Sequence, residues 1–213
     1  HTVPPRTPPP TDLGPVAFRV EFAHEPRTAA DRATLAPPEA DDGPLGGPLQ
    51  QLAAVHARFY RGKCTMHLGD SIPIKLKTHV DLDAIEELFV MLLELVDGGV
   101  GEWSLTDKSE LLIVEAEALG PDVTLEFGDG DDGPGVFRKV RFPQRATVRL
   151  RALVEECAKL IRRLIMEASV ADPEFGASTA LDELKADLAE LVDAVAHHPL
   201  EFRAKSLPVV AAL

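Results

Sequence analysis

Eleven of the eighteen prolines fall within the first 48 of 213 residues, and this uneven distribution constrains the fold more than any other feature. Proline removes a backbone donor and fixes φ, so it blocks both helix interiors and central strands. The opening run HTVPPRTPPPTD is therefore expected to be extended, polyproline-like or disordered. One exception stands inside this region. Val16 to Phe22 alternates apolar and polar residues as a half-buried strand does. The expected organisation is a proline-rich arm and linker over residues 1–47 with one strand at 16–22, a single domain over 48–200, and an apolar tail over 201–213. The tail's Ser206 to Leu213 is expected to dock on the domain or on a partner.

Periodicity then orders the domain. Leu49, Leu52, His56 and Phe59 recur at helical spacing, with Pro48 near the first turn and Gly62 past the end. Cys64, Met66 and Leu68, then Ile72, Ile74 and Leu76, predict two strands joined at Gly69-Asp70. The clearest element starts at Asp83 and Glu86, a capping-box-like pair, and carries an apolar stripe from Leu82 to Val96 before Gly98-Gly99 ends it. Four strands follow, over 101–106, 110–117, 122–127 and 136–142, with links short enough to favour antiparallel neighbours. Two helices close the chain, from about Val148 to Ala168 and from Thr179 to His197. In the second, Leu181, Leu184, Leu188, Leu191 and Val195 step by three and four, a narrow seam suited to a neighbouring helix. The fold class is α+β: a mainly antiparallel sheet with helices packed on one face and a C-terminal helical hairpin.

No familiar chemistry is written in the spacing. The GDS triplet Gly69-Asp70-Ser71 matches the serine block of SGNH hydrolases over three residues, but the chain has no Asn to hold an oxyanion. Asp193 and His197 are also four apart where that family has D-x-x-H. Gly128 to Gly135 gathers Asp129, Asp131 and Asp132 in one loop, yet an EF-hand count from Asp129 meets Pro134 and Val140 where Gly and Glu are needed. The seven histidines form no helical zinc pattern, and Cys64 and His67 fall on opposite strand faces. Gly-rich phosphate loops are missing. No cofactor and no metal are expected from these motifs, and no catalytic set is found.

Charge carries the functional expectation. With 35 Asp plus Glu against 22 Lys plus Arg, the net charge is −13, which disfavours general nucleic-acid binding and attracts a cationic partner. Within this background Arg138, Lys139, Arg141, Arg145, Arg149 and Arg151 form a basic run with no acid between Gly133 and Val154. Asp129, Asp131, Asp132, Arg138, Arg141, Arg145 and Arg149 are thus the candidate partner-binding residues. Absent Asn, scarce Lys and abundant Ala, Gly, Pro and Asp read as the coding bias of a GC-rich bacterial genome. The longest apolar run, Leu88 to Leu93, is too short to cross a bilayer, and no signal peptide is seen. Cys64 and Cys157 form no C-x-x-C pair, which fits a reduced, cytoplasmic protein.

The expected function is a non-catalytic protein-binding module, of the immunity or antitoxin type, that neutralises a basic partner. One alternative is a structural subunit or adaptor, with a homo-oligomer formed through 181–195 and the termini. Another is an enzyme or ligand-binding protein that uses the 138–151 basic segment for an anionic substrate. No membrane partner is expected.

Overall fold

A computed structural model describes residues 14–34, 46–69, 74–76, 82–107, 110–129 and 145–197. Strand β1 (Phe18–Pro26) leads into a short helix α1 (Ala29–Ala33), where Thr28 and Asp31 form a reciprocal capping box. Helix α2 (Gly46–Phe59) passes without a break into β2 (Tyr60–Leu68), which pairs with both β1 and the short β3 (Ile74–Leu76). Helix α3 (Leu82–Val96) is followed by a meander of β4 (Val100–Asp107), β5 (Glu110–Leu119), β6 (Asp122–Asp129) and β7 (Arg145–Arg149). The chain closes with α4 (Leu150–Ala171), the single turn α5 (Pro173–Gly176) and α6 (Thr179–His197). All pairing among the described strands is antiparallel, and the α+β class holds.

The architecture differs from the expected single sheet in two respects. The described residues form two sheets, β1-β2-β3 and β4-β5-β6-β7. They abut where the Val16 N–H donates to Thr147 O at 2.8 Å, so the entry to β1 runs beside β7. The last strand also sits elsewhere than expected. Residues 136–142 lie outside the described residues, and Arg145–Arg149, placed by periodicity partly in the following helix, pair with Asp122–Glu126 as β7. Helix α4 starts only at Leu150. No helix among the described residues is long and apolar enough to cross a membrane.

Helix α4 is the hub, packing against β1, α2, α5 and α6. Its stripe of ten buried residues runs from Leu150 to Ala168, which is what a helix covered on several sides requires. Leu181, Leu184, Leu188 and Leu191 of α6 are buried within the same chain, with α4 and α2 as neighbours. That is the helical hairpin their spacing predicts.

Helix α3 and β4 form the tightest junction. Gly98 closes the helix at φ 78°, the left-handed conformation that glycine adopts without strain. Three residues on, a Cβ at Gly101 would stand 2.8 Å from Met91 Cα, so only glycine lets the strand lie this close. Trp103 is fully buried beneath α3 and donates Nε1–H to Ala84 O at 2.9 Å. Cys64 and Cys157 are free and buried; burial pushes the Cys64 thiol up to about 12 and raises Cys157 as well, so neither is a nucleophile at neutral pH.

Candidate functional site

Two features depart from an ordinary core and an ordinary surface. The first is a cluster of ionisable groups inside the molecule. The inward face of β1 carries Phe18, Val20 and Phe22, and the next inward position is His24, whose side chain is only 3% exposed. Helix α2 contributes His56 from its apolar stripe, 1% exposed. Helix α4 contributes Glu167, in phase with Leu160 and Leu164, 16% exposed.

The two imidazoles converge on one oxygen of the Glu167 carboxylate. Glu167 Oε2 lies 3.1 Å from His56 Nε2, a hydrogen bond, and 2.5 Å from His24 Nδ1. The second contact is an ion-pair contact without hydrogen-bond geometry, and both ring nitrogens of His24 are buried without a hydrogen-bond partner among the described residues. The other oxygen, Glu167 Oε1, accepts from Arg163 Nε at 2.8 Å. Aromatic packing fixes the rings: His56 stacks on Tyr60 at 4.9 Å and meets His24 edge-on at 4.3 Å. Tyr60 donates its hydroxyl to the Glu167 backbone carbonyl at 3.3 Å. Arg27 Nε bridges Ala57 O and Tyr60 O, both at 2.9 Å, which pins the α2–β2 junction behind the cluster.

The electrostatics follow from burial. Desolvation, reinforced by His56, pushes His24 down to about 4. Desolvation likewise lowers His56, against the pull of the Glu167 carboxylate. For Glu167 burial acts in the opposite direction, but its bonds to Arg163 and His56 hold the carboxyl below its ordinary range. At neutral pH the cluster is one carboxylate facing two neutral imidazoles, with the Arg163 guanidinium on the outside.

The second feature is an acidic sheet face. The register sets Glu102 of β4 opposite Glu115 of β5, and Glu115 opposite Glu126 of β6. Three exposed glutamates thus stand side by side across three strands, and like charges directly opposite one another destabilise a sheet. Arg145 extends the row on β7 and pairs with Glu126 at 3.3 Å. Neither Glu102 nor Glu115 has a cation within ion-pair distance among the described residues. Glu86 and Glu87 of α3 add to the field, lining a shallow open depression with Val90 and Glu102. Glu87 also accepts the Ser104 N–H at 2.7 Å.

The residues singled out by sequence are only partly in view. Asp131, Asp132, Arg138 and Arg141 lie outside the described residues, and Asp129 ends β6 with its side chain undescribed. Arg145 and Arg149 are exposed on β7, where Arg149 pairs with Asp122 at 2.8 Å. Both are thus answered by cross-strand carboxylates, and neither lines the depression. His24, His56 and Glu167 were missed because 32 and 111 residues separate them in turn, and no local motif spans such gaps. A signal did exist, since each occupies a position where its stripe calls for an apolar residue. No protein-family model matches this chain, and neither a curated protein nor a solved structure is similar to it.

Proposed function

We propose that the chain is a non-catalytic protein-binding module that receives a basic partner on the acidic face of the β4–β7 sheet. The observation that carries this reading is the Glu102–Glu115–Glu126 row. A sheet that places three carboxylates in register, two of them without a cation, retains self-repulsion that a cationic partner would relieve. The net charge of −13 works in the same direction at longer range, accelerating encounter with a positively charged surface. In biological terms this is the behaviour of an immunity or antitoxin-like protein of a bacterium, which neutralises a basic partner. Support for that narrower reading comes from the acidity and the Asn-free composition.

The test is affinity capture from the native host at about 50 mM salt, with the wild type and a Glu102→Lys/Glu115→Lys/Glu126→Lys variant run side by side. A basic protein held by the wild type, released at moderate salt and ignored by the variant is the expected result. Equal capture by both baits, or capture indifferent to salt, would remove the basis of the reading.

A further inference from the structure

We propose that His24 Nδ1, His56 Nε2 and Glu167 Oε2 together bind one divalent transition-metal ion of the zinc class. Several observations, each independent of the acidic sheet face, support this site.

The first is geometric. The three donor atoms all lie within 4.8 Å of one another. Ligands about 2.1 Å from a zinc-like ion stand roughly 3.0–3.4 Å apart, and His56 Nε2 and Glu167 Oε2 are already 3.1 Å apart. The His24 contact, at 2.5 Å, must open by roughly half an ångström to an ångström to fit the same bond lengths. His24 stands near the end of β1, so a small movement there leaves most of the ladder intact.

The second is the state of His24. A buried imidazole normally satisfies at least one ring nitrogen, yet both nitrogens of His24 are buried and unbonded among the described residues. Its Nδ1 approaches the carboxylate without the alignment of a hydrogen bond. An ion at this point would replace the single His56–Glu167 hydrogen bond and give His24 Nδ1 the partner it lacks.

The third is donor chemistry. Two imidazoles and one carboxylate suit zinc, cobalt, nickel or copper, whereas calcium and magnesium prefer all-oxygen cages. Burial keeps both rings in the neutral form that a metal ligand requires. Arg163 occupies only the Oε1 atom of Glu167, which leaves Oε2 to the ion and fixes the carboxylate plane from behind. Three protein ligands leave the rest of the coordination sphere to water. The ligands come from β1, α2 and α4, so the ion would tie the N-terminal strand both to α4, which packs on it, and to α2.

The test uses the full chain, stripped with a chelator and desalted, and titrated with zinc chloride alone. Calorimetry should give one ion per chain with micromolar or tighter affinity, and millimolar calcium or magnesium should not compete. Long-range ¹H–¹⁵N spectra of the histidine rings in the wild type need no variant. Zinc should shift the coordinated-nitrogen signals of His24 at Nδ1 and His56 at Nε2, leaving His67 and His197 in place. Glu167→Gln, nearly the same shape, and His24→Phe should each weaken binding at least ~100-fold, with circular dichroism confirming that both remain folded. Should either variant fail to fold, the wild-type spectra decide alone. No binding at about 100 μM zinc, or ring shifts confined to the other histidines, would overturn the proposal.

Discussion

Replacing Glu115 with Lys should make the protein more stable while removing its affinity for a basic partner, and the size of the gain can be worked from the register. Glu115 stands between Glu102 and Glu126, and directly opposed side chains on one sheet face place their charges about 6 Å apart. In water each like pair then costs about 0.7 kcal/mol before screening. At 0.15 M salt, where the Debye length is about 8 Å, roughly 0.3 kcal/mol per pair survives. The lysine turns two repulsions into two attractions, so the net gain is about 1 kcal/mol at 0.15 M salt and about 2 kcal/mol near 10 mM. In a protein of this size that corresponds to a midpoint shift of roughly 2–4 °C per kcal/mol. Urea unfolding of wild type, Glu115→Gln and Glu115→Lys at both salt concentrations measures it, and Gln should recover about half of the gain. A lysine variant no more stable than the glutamine variant at low salt, or a gain that does not shrink as salt rises, would show that the ladder does not carry the repulsion assigned to it.

Three further outcomes are expected. In metal-free protein His24 is neutral when folded but binds a proton below pH 6.5 once unfolded, so its contribution is intact above 6.5 and lost as pH falls toward 4. By pH 5 about 2 kcal/mol should be gone, and urea unfolding of His24→Phe across pH 7 to 5 should show a distinctly flatter profile; parallel profiles would exonerate His24. Gly101→Ala should cost about 1–3 kcal/mol, because the new methyl meets Met91 backbone at 2.8 Å; a melting temperature within a degree of wild type would contradict the packing described. Trp103→Phe should cost about 2 kcal/mol through lost volume and the lost bond to Ala84 O, and denaturant unfolding with an unchanged midpoint would argue against that anchor.

The helices were legible because their stripes are long. Leu153 to Leu164 and Leu181 to Val195 keep a helical period that no strand could satisfy, and their predicted core positions are buried except Val195, which is half-buried. The strands β5 and β6 declared themselves by alternation bounded with turn residues. What periodicity missed is what only pairing decides. Arg-Ala-Thr-Val-Arg at 145–149 alternates weakly and runs straight into a helix, so its strand character comes from the β6 register, not from its own pattern. Likewise Gly62 looks like a helix stop, whereas the helix ends at Phe59 and Tyr60 already pairs with Pro26. The buried cluster was hidden for a related reason. His24 falls two residues beyond the expected strand, so its phase with Phe18, Val20 and Phe22 went unseen. His56 was visible as a polar residue on an apolar stripe, but its partners lie in other elements and only the tertiary fold brings them to one oxygen atom.

The placement of α4 over β1 has a consequence for synthesis. Phe18, Val20 and Phe22 leave the ribosome well before the helix that covers them, which is complete only about 150 residues later. At 5–20 residues per second that interval is roughly 7–30 s, during which an apolar strand has β2 to pair with but no helical cover. Its opposite face carries Arg19 and Glu21, joined at 3.1 Å, and charges beside an unavoidable apolar strand discourage association with other nascent chains. The same strand that carries His24 therefore keeps its apolar face without helical cover until α4 is complete.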